Sequence, residues 1–319
     1  MPIVPQRPTL SSVLTGPSSR PSGGIILGPE GVGKTSLGAC AFKPIFIMLG
    51  GEVGLETLIG AGRVPPTPRF PELDSFDAVM SCIEALREGR HDYKTLVIDA
   101  LNGLERLVHE HVCKRDYGGR WGKDGFLSYM QGYENSLADW RLLLKALDRL
   151  RNERRMAVIM LGHTRVATFK NPEGPDYDRF TPDVHPKTWG LTHKWADYVL
   201  FMNFETFVEE GKGTKAKGKG GTRRVIFTER SSAYDAKNRY GLPPRIDCGS
   251  SPQQAWKNLV AAFAAAKAAA PSAPVNGSPA TPKAPAATAA IEATDEVDDT
   301  DEAEAGEAEA TTNVEETNA

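Results

Sequence analysis

Apolar residues along the chain fall into two alternating patterns. Four short unbroken runs, GIILG (24–28), PIFIML (44–49), KTLVIDA (94–100) and MAVIMLG (156–162), predict strands. Continuous runs, rather than every second residue, are what a parallel sheet covered on both faces requires. Between them, the spacing predicts helices over 35–41, 73–88, 101–115 and 134–152. The last of these places Leu137, Trp140, Leu144, Leu147 and Leu150 on one stripe. Strand alternating with helix predicts an α/β fold with right-handed crossovers. Past residue 196, DYVLFMNFETFVEE (197–210) and TRRVIFTE (222–229) predict two strands. The joining GKGTKAKGKGG (211–221) carries Lys212, Lys215, Lys217 and Lys219 and predicts a mobile, basic hairpin tip. A last helix starts near Pro252 with Trp256, Leu259, Val260 and Phe263.

This divides the 319 residues into an irregular Pro/Ser/Thr-rich lead-in (1–21), a folded domain (22–268) and a tail (269–319). The tail is Ala/Pro-rich and then acidic; it lacks the large apolar residues of a core and is expected to be disordered. Charge sharpens the division. The net −3 hides two lysines against twelve carboxylates from residue 261 onward, leaving 36 basic against 29 acidic residues in 1–260. A mildly basic body permits a polyanionic partner. No apolar run approaches the length of a membrane span, and MPIVPQRPTLSS lacks the order of a signal peptide, so the cytoplasm is the expected compartment. Cys40, Cys82, Cys113 and Cys248 are far apart with no CxxC, which suggests neither a disulfide framework nor a cysteine-built zinc site. His109, His111 and Cys113 share a helix without a clear fourth ligand.

The strongest chemical signal is GPEGVGKT (28–35), between a predicted strand and a predicted helix. Glycines at 28, 31 and 33 let successive backbone N–H groups turn inward around phosphates. Gly28, Pro29, Glu30, Gly31, Val32, Gly33, Lys34, Thr35 and Ser36 are therefore the candidate nucleoside triphosphate-binding residues. Lys34 is expected on the β- and γ-phosphates, and the Thr35 hydroxyl on Mg²⁺. Asp99, closing TLVID, is the second candidate for the magnesium, through water. Ala100 follows it, so the adjacent acidic pair used by many mechanical ATPases is absent. The candidate base is Glu52, just past the second strand, with Glu56 and Glu105 as reserves; Glu52 would also suit the N-terminal end of a following helix. His163 ends the fourth predicted strand, where a neutral imidazole can report on the γ-phosphate.

GPEGVGKTS, FIMLGGEVGLETL, LVIDALNGLE, the strand ending GHT and above all AKNRYGLP (236–243) together resemble the RecA-fold ATPases. More narrowly, they resemble phage-encoded RecA-core proteins that promote single-strand annealing in recombination, over roughly residues 22–250. KNRYG is similar to the KNRFG motif of bacterial RadA, with Tyr240 in place of its Phe. The resemblance implies a RecA-like P-loop NTPase core with a mostly parallel sheet, ATP and Mg²⁺ as cofactors, and Glu52 as base. It also implies a ring or filament homo-oligomer in which Lys237 and Arg239 reach a neighbour's ATP.

DNA contacts would then come from the segments after the third and fourth strands, 113–126 and 164–188, read as loops. The first offers Lys114, Arg115, Arg120 and Lys123 with Tyr117, Trp121 and Phe126 for base stacking. The second offers Arg165, Lys170 and Arg179 with Phe169, Tyr177 and Phe180, among several acids. The lysine-rich tip is a third candidate, or a solubilising turn. By the same resemblance, no counterpart is expected of the domains that flank the core in full-length recombinases and in RadA. The expectation is therefore annealing of single-stranded DNA, or assistance to another protein, with the acidic tail masking the DNA surface, recruiting a single-strand binding protein, or serving only as a solvated spacer. The alternatives are a replicative helicase-like or helicase-loading ATPase, and a nucleotide-gated interaction module with negligible turnover.

Overall fold

The structure, a computed structural model, describes residues 9–10, 13, 20–209 and 217–269, and for 206–209 and 217–220 the backbone alone. In chain order the elements are β1 (Gly23–Gly28), α1 (Lys34–Ala39), β2 (Pro44–Met48), α2 (Gly54–Gly60), α3 (Phe76–Glu88), β3 (Thr95–Asp99) and α4 (Leu101–Tyr117). A 3-10 turn (Ser128–Met130) leads into α5 (Gln131–Glu153), followed by β4 (Ala157–Phe169), β5 (Tyr177–Pro182), α6 (Pro186–Trp195) and β6 (Tyr198–Glu209). The series ends with β7 (Lys217–Phe227), β8 (Lys237–Asn238), β9 (Arg245–Asp247) and α7 (Pro252–Ala269).

The strands form one sheet in the order β2-β3-β4-β1-β6-β7-β9, with β5 added to β4 and β8 to β6. From β2 to β6 all neighbours are parallel; β5, β7, β8 and β9 join antiparallel. This is an α/β fold with a mixed sheet between helices, consistent with a RecA-like core. Successive residues of one strand serve opposite cores. Ile25, Ile47, Ile98 and Met160 pack with Trp140, Leu143 and Leu147 of α5 on one face. Ile26, Val97, Ile159 and Leu161 pack with Leu37 of α1 and Leu259 of α7 on the other. Two covered faces account for the unbroken apolar runs. Among the described residues no helix is long and apolar enough to cross a membrane.

Parallel register brings the carboxyl ends of the central strands to one edge: Gly28 is opposite His163, Met48 opposite Asp99, and Asp99 opposite Leu161. In a sheet of this kind that edge is where ligands bind. Two expectations change here. β4 does not stop at His163 but runs on to Phe169, because Thr164–Phe169 pair antiparallel with Tyr177–Pro182. The segment 164–188 is therefore a β-hairpin followed by the start of α6, not a loop. Likewise α4 continues to Tyr117, so Lys114 and Arg115 lie in its last turn.

On α4, His109 is buried against Phe126 and Tyr133, whose ring centroids lie 5.4 and 5.1 Å away. Burial, with His185 nearby, lowers its pKa from 6.5 to about 4. Between those values the unfolded chain binds the extra proton and the folded chain does not, so stability falls as pH drops through this window. The loss is at most roughly 3 kcal/mol. Urea midpoints at pH 7 and pH 5 should show it, and His109→Gln should flatten the difference; an unchanged pH dependence in the variant would place the effect elsewhere.

Candidate functional site

The turn from β1 into α1 is built to leave backbone N–H groups free. Gly31 and Gly33 have φ of 72° and 103°, a left-handed geometry that side chains disfavour. Val32 between them is fully buried and anchors the loop from below. A Cβ on Gly28 would stand 2.3 Å from the Met202 carbonyl oxygen, so only glycine lets β1 and β6 approach at this point. Glu30, Gly31, Gly33, Lys34, Thr35 and Ser36 line one wall of a cleft of about 530 Å³, and Gly50, Gly51, Glu52 and His163 line the other. Pro29 joins the site through its carbonyl.

Three polar side chains run across this cleft in a line. His163 Nε2 donates to Glu52 Oε1 at 2.8 Å, leaving Nδ1 as the acceptor facing Lys34 Nζ at 3.4 Å. Lys34 also donates to the carbonyls of Gly28 and Pro29, both at 2.9 Å. The ammonium is buried, and burial holds its pKa below the ordinary lysine value. The hydrogen bond from His163 holds the Glu52 carboxyl below its usual range. Glu52 reaches the cleft because Gly50 and Gly51, with φ of 73° and 78°, turn the chain sharply after β2. His163 thus stands inside the long β4, at the level where β1 ends, rather than at a strand tip.

Below the cleft, Thr35 Oγ1 donates to Asp99 Oδ2 at 2.6 Å. Asp99 is 1% exposed, and burial raises its pKa despite that hydrogen bond. A desolvated carboxylate beside a hydroxyl is an oxygen-only donor set of the kind a hard divalent cation takes. The reserves are engaged elsewhere. Glu56 is paired with Arg69 at 2.6 Å, and both oxygens of Glu105 accept from the His185 backbone N–H, at 2.9 and 3.0 Å.

Arg224, which no sequence motif singles out, has its side chain 3.9 Å from where a Cβ on Gly33 would stand. Among the described residues its buried Nε has no hydrogen-bond partner, and its guanidinium lies 5.5 Å from the Phe204 ring. One more basic residue in a polar run gives no signal; only the pairing of β7 with β6 carries it to the phosphate loop.

The remaining residues lie away from this cleft. Lys237 pairs in register with Val199 of β6, near the start of that strand, whereas the phosphate loop follows the end of β1. Its Nζ donates to the carbonyls of His193 and Ala196 at 2.5 and 2.6 Å, which ties it to the end of α6. A lysine held this way is not a free finger; Arg239 is exposed and makes no hydrogen bond among the described residues.

In the 113–126 segment the aromatic rings serve the fold more than a ligand. Phe126 is wholly buried, and Trp121 stacks on it at 4.6 Å and 5°, leaving one indole face outward. Tyr117 accepts from Asn135 at 2.9 Å. Arg115 is paired with Asp116 and Asp139 at 2.7 and 2.9 Å. Lys114, Arg120 and Lys123 are exposed and have no ion pair among the described residues. On the hairpin, Arg165 faces Asp183 at 3.4 Å and Lys170 is paired with Asp176 at 2.5 Å. Lys217 and Lys219 lie on the β7 backbone opposite Glu209 and Phe207, while Lys212 and Lys215 fall outside the described residues, as does the tail beyond 269.

Residues 20–240 match the AAA domain family, more than half of the chain, and the protein belongs to that family. It is a nucleotide-binding and nucleotide-hydrolysing P-loop NTPase domain of the broad AAA/RecA superfamily. Among solved structures, the crystal structure of the RadB recombinase is similar at 14% identity and a TM-score of 0.38, over 66% of this chain and 82% of that one. No curated protein matches.

Proposed function

We propose that this chain is an ATP-hydrolysing protein of phage DNA recombination that assembles on single-stranded DNA and promotes annealing of complementary strands in the bacterial cytoplasm. The observation that carries the reading is the course of β4. It brings His163 to the nucleotide cleft and, at the next residue, enters a hairpin bearing Arg165, Lys170 and Arg179. One strand then senses nucleotide at one point and meets the polyanion at the next, so ATP can bias the DNA-contacting conformation.

Within the cleft the roles follow from charge and reach. Lys34 passes from the Gly28 and Pro29 carbonyls to the β- and γ-phosphates. Thr35 and Asp99 suit Mg²⁺, which when bound neutralises charge on the phosphate oxygens. Glu52, ionised and oriented by His163, accepts the proton of the attacking water. Arg239 serves the ATP of an adjoining copy, which makes turnover depend on a homo-oligomer. Lys114, Arg120 and Lys123 extend the DNA surface, and the acidic tail recruits a single-strand DNA-binding protein.

ATP turnover by the purified chain, with and without single-stranded DNA over a range of protein concentrations, tests this reading. Stimulation by DNA and a steeper-than-linear dependence on protein are expected. Turnover indifferent to DNA and strictly proportional to protein would leave a monomeric NTPase with neither partner.

A further inference from the structure

A second cavity, about 280 Å³, lies on one face of the β4–β5 hairpin and is separate from the nucleotide cleft. Antiparallel register sets Ala167 opposite Arg179 and Arg165 opposite Thr181, so these side chains share that face. The small Ala167 leaves room beside the guanidinium. Phe169, Phe180 and Trp189 make much of the remaining wall.

Arg179 is unusual among the arginines here. It is only 8% exposed, yet no carboxylate pairs with it and no hydrogen bond is made to it among the described residues; its Nε is buried without a partner. Its guanidinium carbon lies 5.5 Å from the Phe169 ring, and a cation–π contact of this kind offsets only part of the desolvation cost. The carboxylates nearby make no ion pair with Arg179 among the described residues, although Asp235 lines the same cavity. Asp183 faces Arg165 at 3.4 Å, and Asp235 accepts from Trp189 Nε1 at 3.1 Å, with His193 at 3.9 Å. A buried cation without a counter-ion calls for an anion from outside the chain. The fork of N–H donors suits a phosphate, and the aromatic walls suit a flat ring attached to it.

We infer that this cavity is a binding site for one nucleotide unit, its phosphate on Arg179 and its base against the aromatic wall formed with Trp189. The unit comes either from a free nucleoside monophosphate or from a strand of DNA. The second source rests on the function proposed above; the first does not.

The test uses the full chain with excess ADP and Mg²⁺, so that the phosphate loop is filled, and two probes: thymidine monophosphate and a fluorescent oligothymidylate. Arg179→Met keeps the bulk and removes the charge, and because it removes an unpaired buried cation it should melt no lower than the parent protein. Arg179→Lys should keep part of the binding. Binding of either probe that weakens tenfold or more in Arg179→Met supports the site and identifies the source. If the oligonucleotide binds the parent and Arg179→Met equally, and the mononucleotide binds neither, the site is refuted while the DNA reading stands. Mononucleotide binding lost in Arg179→Met, with no oligonucleotide binding at all, keeps the site and removes the DNA reading. Failure of both probes to bind the parent overturns both.

Discussion

Replacing Glu52 by glutamine is expected to lower ATP turnover by about 10²–10⁴-fold, the range a general base contributes, while ATP affinity changes by no more than about threefold. The substitution keeps the shape and an oxygen to accept from His163 Nε2, which now sits 2.8 Å from the carboxylate. What it removes is the basic lone pair that takes the proton from water. Lys34 and the loop N–H groups, proposed above to hold the phosphates, are untouched. The pH profile gives a second reading of the same residue. Because the His163 hydrogen bond holds the Glu52 carboxyl below its usual range, the base is ionised throughout the neutral range. The acid limb of turnover that belongs to it should therefore lie on the acid side of an ordinary glutamate. Equilibrium binding together with single-turnover hydrolysis separates the two effects. Turnover within threefold of the parent protein would move the base away from Glu52, and the geometry offers few substitutes. Glu56 is held by Arg69, and Glu105 is bonded through both oxygens to the start of α6.

Much of this site was legible before the fold was known, for a physical reason. A phosphate loop needs its glycines, lysine and threonine consecutive in sequence, and a buried parallel strand needs its apolar residues consecutive too. Gly28 to Ser36, Asp99 and the four central strands were therefore readable as local strings. The line from Glu52 through His163 to Lys34 was only half readable. Each residue was expected at the same sheet edge, but the hydrogen bonds depend on the register of β1 against β4, which no local string encodes. Elements with little apolar contrast escaped. In α6 the buried positions include Thr188 and Thr192; Thr192 accepts from Trp140 Nε1 at 2.9 Å and donates to the Thr188 carbonyl at 2.7 Å. Polar residues that satisfy each other in this way leave no hydrophobic stripe to find. The hairpin strand β5, YDRFTP, reads as a loop because its partner is the polar end of β4 and not the core. Charge was the least legible property. Arg115, Arg165 and Lys170 look like free basic groups in sequence but each faces an aspartate, and Lys237 is consumed by two carbonyls. Arg179, set among acids in sequence, is a buried arginine left without an ion pair among the described residues.

Arg239→Ala is expected to lower turnover by about 10³-fold or more, as removal of an arginine finger does, and the loss should be repairable by a second inactive variant. The sheet geometry supplies the argument. β8 pairs with β6 beside Gly24 and Ile25 of β1, and Arg239 lies just past β8, whereas the phosphate loop follows Gly28 at the other end of β1. At about 3.3 Å per residue, Arg239 and the phosphate loop of the same chain are separated by about 15 Å along the strand direction. The guanidinium therefore acts on another copy or not at all. Mixing Arg239→Ala with Glu52→Gln places an intact Glu52 beside a neighbour's intact Arg239 at some of the interfaces. In a head-to-tail assembly with random neighbours at equal amounts, about a quarter of the sites are complete, so the mixture should recover about a quarter of parental turnover. Neither variant alone should do so at any concentration. The control is Lys237→Ala in place of Arg239→Ala. Because Lys237 closes the end of α6 through the His193 and Ala196 carbonyls, its removal should lower the melting temperature, and Glu52→Gln should not repair that loss. If mixed oligomers of Arg239→Ala and Glu52→Gln form but remain inactive, Arg239 does not complete a neighbour's site, and the dependence of turnover on assembly must come from another residue.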